Sequence, residues 1–217
     1  MQDKADDGGF DDWVGRVYGA KSNQDLREKY DAWAADYDRD VESVRYGVPT
    51  VAAGLFGRYV APDAGEVLDA GCGTGLLGEP LHLLGYRALT GVDLSPEMLA
   101  QAEARGVYGE LRAMDLGARL GFPDDRFAAA TALGVLTPGH APPTALDEML
   151  RVTRPGGHLI FTVSQPAFED SGFKEHMAAM DAKGFWEALE TTPSFRAIPG
   201  SKTEGDIEVR FFVYRVR

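Results

Sequence analysis

The sequence predicts an α/β domain built on a doubly wound, mostly parallel sheet. Two observations carry that prediction. Short, nearly continuous apolar runs (66–70, 88–92, 127–133 and 158–163) are separated by helical stretches, the pattern of parallel strands covered on both faces. The first run also ends in a glycine cluster that opens into a helix, and such strand–helix–strand successions are right-handed and wind doubly.

Each element has a local reason. Residues 1–9 are polar and contain glycine, and fraying is expected there. From Phe10 to Val60 the pattern is helical, and Leu26, Tyr30, Trp33 and Tyr37 recur as one apolar stripe on a helix. Pro49 suits the first turn of a further helix carrying Val51, Leu55, Phe56 and Tyr59. The style changes at Ala61-Pro62-Asp63, which suggests a helical segment over 1–60 and the α/β unit over 61–217. Glu66–Ala70 is a strand, and Leu76–Leu84 a helix stopped by Gly85. Ala88–Val92 is a strand ending at Asp93. Ser95-Pro96-Glu97 opens a helix with a cap, a proline at its first position and an acid at its positive end; Gly106 closes it. A weaker strand covers Tyr108–Met114, and Phe127–Leu133 is another. A helix starts near Thr144 and Asp147, with Leu146, Met149 and Leu150 on one face, and Arg154-Pro155-Gly156-Gly157 breaks it before the strand His158–Val163. Residues 173–190 read as helical. Ile207–Arg217 alternates with period two, more typical of an antiparallel strand.

Composition narrows the function. At 217 residues the chain is large enough for a proper core without staples. Its net charge of −12, with no sustained Lys/Arg run, makes the nucleic-acid backbone and anionic membranes poor partners. The single cysteine, Cys72, can form no internal disulfide, and the four histidines show no metal-ligand spacing. No metal is expected. The N-terminus carries no apolar stretch, and no window is apolar enough to span a membrane. A cytoplasmic location is the expectation.

In open α/β sheets, ligands sit beyond the carboxyl ends of the strands. The first such loop is Asp69-Ala70-Gly71-Cys72-Gly73-Thr74-Gly75, whose glycines let a ligand approach bare backbone. Gly73-Thr74-Gly75-Leu76-Leu77-Gly78 also matches the dinucleotide fingerprint, with Asp93 placed to meet a ribose. Alone, this suggests NAD. A pyrophosphate, however, would face the carboxylate of Asp69. A ligand with an adenosine at one end and cations at the other fits better, and S-adenosylmethionine has both.

Three segments now become familiar together. Glu66–Gly75, Gly91–Leu99 and Leu150–Leu159 resemble successive motifs of the class I S-adenosylmethionine-dependent methyltransferases. Lys29–Val41, Phe173-Lys174-Glu175 and Trp186–Leu189 are similar to the methyltransferase-like protein 27 family, also called the Williams-Beuren syndrome chromosome region 27 family, over about residues 25–195. The resemblance implies a Rossmann-like sheet of seven strands, the last antiparallel, with an N-terminal helical lid. It implies that Gly71 and Gly73 lie against the methionine part and that Asp69 lies near the cationic end. Asp93 would accept from both ribose hydroxyls. Leu94 and Met98 would pack on the adenine, and Asp115, beside Leu116, would accept from its amino group. Tyr30, Trp33 and Tyr37 have two readings: the apolar face of a helix packed on the core, or a lid that covers the cofactor.

The sequence shows no evident catalytic base. After the fourth strand it reads Leu133-Gly134-Val135-Leu136-Thr137-Pro138-Gly139-His140, without the Asn/Asp-Pro-Pro-Tyr motif of amino-methylating nucleic-acid enzymes. His140 is the candidate base; a solvated loop histidine is its plain alternative. Cys72 reads as a small residue beside the cofactor, and His158 as structural. The expected activity is methyl transfer to an unidentified acceptor, a small molecule rather than a nucleic acid, with a protein acceptor open. The rivals are a non-catalytic S-adenosylmethionine-binding protein acting through a partner, and an NAD-dependent oxidoreductase.

Overall fold

The computed structural model describes residues 9–217; the fraying expected of residues 1–8 lies outside them. Three short helices, α1 (Phe10–Tyr18), α2 (Asn23–Trp33) and α3 (Tyr37–Ser43), come first, followed by α4 (Val48–Tyr59). The sheet then begins: β1 (Val67–Ala70), α5 (Gly78–Leu83), β2 (Leu89–Asp93), α6 (Pro96–Ala104), β3 (Glu110–Ala113), β4 (Phe127–Leu136), α7 (Ala145–Val152) and β5 (Thr153–Ser164). Two helices, α8 (Gln165–Asp170) and α9 (Phe173–Lys183), lead to β6 (Trp186–Thr191), β7 (Phe195–Arg196) and β8 (Glu208–Val216).

The strand order is β3-β2-β1-β4-β5-β8-β6, with the two-residue β7 paired to β8. Strands β1 to β5 are parallel, and β8 runs antiparallel to β5, β6 and β7. The seven-strand path and its reversed last strand match the expectation, and β7 is a small addition. Chain order reverses between β1 and β4, so the crevice for a ligand opens at their carboxyl ends.

The centre of the sheet is apolar because both faces are covered. β1 is buried along its whole length, and Ala128, Ala129 and Ala130 of β4 are at most 3% exposed. Their small side chains leave room for helices to lie close. On one face, Leu146 and Met149 of α7 and Phe173 of α9 meet Phe127, Phe161 and Phe212. On the other, Ala52 and Phe56 of α4 pack with Leu81, Ile160 and Phe211. α4 therefore belongs to the layer covering the sheet. Helices α1–α3 instead form their own cluster around Trp33. That indole is 1% exposed and stacks on Trp13 with ring centroids 5.8 Å apart. Its Nε1–H donates to the buried carboxylate of Asp40 at 2.9 Å.

Three local expectations need correction. The stripe Leu26–Tyr30–Trp33–Tyr37 spans two helices, α2 and α3, with a turn between them. Trp33 and Tyr37 still meet, edge to face at 4.8 Å, so the spacing imitated one continuous helix. Residues 173–190 are not one helix. Gly184, at φ +68°, ends α9 in a left-handed cap, and Trp186–Thr191 pairs with β8. The Arg154–Gly157 breaker is part of β5, looped out where the pairing jumps from Phe127–Thr153 to Ala129–His158.

Candidate active site

The glycine loop after β1 is folded back onto the end of β2. The backbone N–H groups of Gly71 and Cys72 both donate to the carbonyl of Val92, at 2.8 and 3.0 Å. Gly71 has φ +77°, and a Cβ there would press within 3.1 Å of the Val135 side chain. Gly73 has φ +54°, and a Cβ there would meet nothing within 4 Å. At the first position a side chain collides with β4. At the second it would stand in the open cleft.

Asp93 ends β2 and faces this loop. Its Oδ2 accepts from Gly73 N–H at 2.8 Å and its Oδ1 from Ser95 N–H at 2.9 Å. Burial raises its carboxyl above the usual range, while those backbone donors pull it back. Ser95 performs the capping its sequence position foretold: its Oγ accepts from Met98 N–H at 3.1 Å. This cap sets Met98, 1% exposed, against the cleft.

Asp69 lies deeper, on β1. It is 3% exposed and accepts a hydrogen bond from the Tyr108 hydroxyl at 2.7 Å. Burial pushes its carboxyl up to about 7, Tyr108 opposes the shift and the nearby Asp93 adds to it. Within the loop, Cys72 is buried, and that burial pushes its thiol well up. It is no nucleophile at neutral pH.

Three adjoining cavities result. The first, about 720 Å³, is bordered by Tyr30, Tyr37, Gly71, Gly73, Asp93, Leu94, Met98, Asp115, Leu116 and His140. Nine of the ten expected cofactor residues thus share one cleft with the candidate base. Asp69 borders a smaller cavity of about 360 Å³ instead, which Tyr37, Gly71 and Gly73 also border. A third, about 700 Å³, lies beneath α1 and α2 and is bordered by Tyr18, Tyr30, Tyr37 and His140. Tyr37 borders all three.

His140 is more enclosed than a loop histidine usually is. Its Nδ1 lies 3.1 Å from the carbonyl of Pro138 and 3.0 Å from Thr137 Oγ1. A carbonyl only accepts, so Nδ1 carries the proton and Nε2 is left as an acceptor. The Tyr30 hydroxyl donates to that Nε2 at 2.9 Å. Burial lowers the imidazole's pKa, keeping it neutral at pH 7. His158 lies midway along β5, paired across from Arg215.

Sequence reasoning missed the links between the helical layer and the strand ends. Asn23 Nδ2 donates to Asp115 Oδ2 at 2.6 Å. Ser95 Oγ donates to Asp31 at 2.6 Å. Asp38 accepts from both Thr74 and Arg105, and Arg105 Nε also donates to the Thr74 carbonyl at 2.6 Å. Nothing in linear spacing signals pairs so far apart in the chain. Among the described residues, no helix is long and apolar enough to cross a membrane.

Comparison with known proteins agrees with this architecture. A family model described as a methyltransferase domain matches residues 68–161. Human methyltransferase-like protein 27 is 37% identical over 188 residues, covering 82% of this chain and 76% of that protein. Among solved structures, the [4+2]-cyclase SpnF superposes with a TM-score of 0.70 at 18% identity, over 91% of this chain and 97% of that one. The magnesium protoporphyrin IX methyltransferase ChlM of Synechocystis PCC 6803, solved with bound S-adenosylhomocysteine, gives a TM-score of 0.65 at 16% identity, over 90% and 100%. These two likenesses speak for the fold; one of them is a cyclase, and a fold alone does not name a reaction.

Fold and family together define a class I S-adenosylmethionine-dependent methyltransferase. Within that class the chain belongs to the methyltransferase-like protein 27 family. Its cofactor is S-adenosylmethionine, and the NAD alternative falls. The residues present fit that cofactor: an open face at Gly73, a carboxylate at the end of β2, an apolar wall at Met98 and a second carboxylate buried beyond the loop.

Proposed function

We propose that this chain methylates a small-molecule acceptor enclosed between the helical layer and the sheet. The observation that carries the reading is the position of Tyr37 at the meeting of three cavities. Such a junction is where a donor and an acceptor can touch while both are shielded from water. Acidic charge over the chain argues against a nucleic-acid acceptor, and the enclosure argues against a protein side chain.

The roles follow from chemistry. Asp93 accepts from the ribose hydroxyls through its remaining lone pairs, its geometry fixed by Gly73 and Ser95. Gly71 and Gly73 offer bare backbone to the amino-acid part, and Asp69 meets its ammonium. Leu94, Met98 and Leu116 hold the adenine, whose amino group Asp115 accepts. Tyr30 and Tyr37, on α2 and α3, form the lid. When bound, the cofactor supplies an electrophilic methyl on a sulfonium. Much of the acceleration is positioning. For an acceptor that must lose a proton, the Tyr30–His140 pair is the base: Nε2 is unprotonated and already hydrogen-bonded to a hydroxyl within both large cavities.

The test is a thermal-unfolding scan with S-adenosylmethionine, S-adenosylhomocysteine and NAD in parallel. At 100 times its dissociation constant a ligand adds about 2.7 kcal/mol, roughly 5–10 °C for a chain of this size. A shift with the first two and none with NAD is expected. Asp93→Ala should shrink it to about 1 °C at the same ligand concentration, and an undiminished shift in that variant would remove Asp93 from the site.

A further inference from the structure

The cavity beneath α1 and α2 has a composition unlike the rest of the protein. The chain carries 34 acidic and 22 basic side chains, yet none of them borders this cavity. Valines and isoleucines make much of the wall, including Val14, Val17 and Ile198. The rest is largely aromatic. Tyr30 stacks near Trp33 at 6.1 Å, and Tyr18 meets His140 edge-on at 5.6 Å. Walls of this kind favour flat ring systems, which gain from ring contacts beyond simple burial. A charged guest would lose its hydration without finding a counter-ion.

Tyr37, Tyr46, Thr162 and Ser164 add uncharged hydroxyls to the wall, and two further polar groups lie where this cavity meets the neighbouring cleft. The Tyr30 hydroxyl and His140 border both this cavity and the cofactor cleft, and they are already hydrogen-bonded to each other. On the other side of the imidazole, the Pro138 carbonyl and Thr137 fix Nδ1 as the protonated nitrogen. The facing groups are therefore all neutral: Tyr18, Tyr30 and Thr137. The free lone pairs of the Tyr30 oxygen can accept from one further donor. Asp69 and Asp93 border the neighbouring cavities and not this one.

We propose that this chamber receives an uncharged, flat, ring-containing acceptor whose methylated group is a hydroxyl presented to Tyr30. The proposal rests on the methyltransferase reading above and names its substrate class. An amine arriving as a cation would find no carboxylate here, and a carboxylate no cation. The proton balance closes on these residues. The acceptor's O–H bond breaks and its oxygen gains the methyl, while the cofactor's sulfur keeps the electron pair of the broken S–C bond. The acceptor's proton passes to the Tyr30 oxygen as the original Tyr30 proton moves to His140 Nε2. One positive charge is lost at the sulfonium and one appears on the imidazole.

The experiment is calorimetric binding to protein saturated with S-adenosylhomocysteine. Four probes share one ring system: 2-naphthol, 2-methoxynaphthalene, 2-naphthoate and 2-naphthylmethylammonium. 2-Naphthol should bind at least about tenfold more tightly than either ion. It should bind about five- to tenfold more tightly than 2-methoxynaphthalene, which cannot donate. Tyr30→Phe should erase that second preference, and Ile198→Asp should weaken 2-naphthol by about tenfold. Equal or tighter binding of an ion overturns the proposal, as does a hydroxyl preference that survives Tyr30→Phe. Saturation with S-adenosylhomocysteine and no probe binding overturns the chamber assignment alone. Failure to bind S-adenosylhomocysteine overturns the reading beneath it.

Discussion

The carboxylate of Asp93 accepts a hydrogen bond from the backbone N–H of Gly73 at 2.8 Å. A residue ending β2 thereby holds the loop that follows β1, and the same carboxylate holds the start of α6 through Ser95. Asp93→Ala removes both tethers and the proposed ribose acceptor. S-Adenosylhomocysteine affinity should fall by roughly a hundredfold, as two charge-assisted hydrogen bonds suggest. The unligated protein should also melt lower, since two backbone donors lose their partner. Calorimetry and a thermal scan check the two parts separately.

Asp69 supplies a pH dependence. Its carboxyl stands at about 7 in the folded chain, against an ordinary value of 3.8. Between those values the folded state keeps a proton that the unfolded chain has released. Stability of the unligated protein should therefore decline as pH rises from about 4 to about 7, by at most about 1.4 kcal/mol per pH unit from this group. Melting wild type and Asp69→Asn from pH 5 to pH 8 isolates the effect, because the variant should lack this component of the decline. Cofactor affinity should move the other way, rising toward pH 7 as the carboxylate ionises to meet an ammonium. Equal pH profiles for the two proteins would place Asp69 outside the binding reaction.

The Tyr30–His140 contact makes a prediction that needs no acceptor. Nitrogen-15 correlation spectra at pH 7 should show His140 as the neutral Nδ1–H tautomer. Its titration should lie below the ordinary histidine range, because burial disfavours the cation. Tyr30→Phe should perturb the Nε2 resonance and leave the tautomer unchanged, since Pro138 and Thr137 still hold Nδ1. An Nε2–H tautomer would reverse the direction of the Tyr30 hydrogen bond and remove the base.

Asp38 fastens α3 to the glycine loop through Thr74 and Arg105. Asp38→Ala should loosen that fastening without touching the sheet. Hydrogen exchange should quicken across residues 23–43, and the dissociation rate of S-adenosylhomocysteine should rise by roughly three- to tenfold. Unchanged exchange in that variant would mean that the aromatic cluster around Trp33 holds the layer alone.

Much of the candidate cleft was legible in the chain, in that residues named from the sequence border one cavity, because their local structure has local causes. A strand, a glycine-rich turn, an acid and a Ser-Pro helix start each leave a signature within a few residues. Ser95 and Met98 illustrate this: cap chemistry alone placed the helix, and the helix placed the thioether. The links across the cleft left no such trace. Asn23 and Asp115 are 92 residues apart, and Tyr108 reaches Asp69 from a segment read only as a weak strand. Residues 186–190 misled for another reason. Glu-Ala-Leu-Glu favours a helix in isolation, but pairing with β8 and the stack of Trp186 on Tyr214 at 4.1 Å override it. His140 was visible as a residue type only. Its enclosure comes from Tyr18 and Tyr30, on helices that precede it by more than a hundred positions.

One helical layer roofs two of the cavities, because Tyr30 and Tyr37 each border both. A movement of that one layer would open or close both at once. The two ligands should therefore feel each other without touching anything else: saturating S-adenosylhomocysteine, by holding Tyr30 and Tyr37 in place, should change the affinity of an acceptor, and a bound acceptor should change that of S-adenosylhomocysteine by the same factor. Calorimetry in both orders of addition measures the two factors, and their equality is the mark of a shared roof.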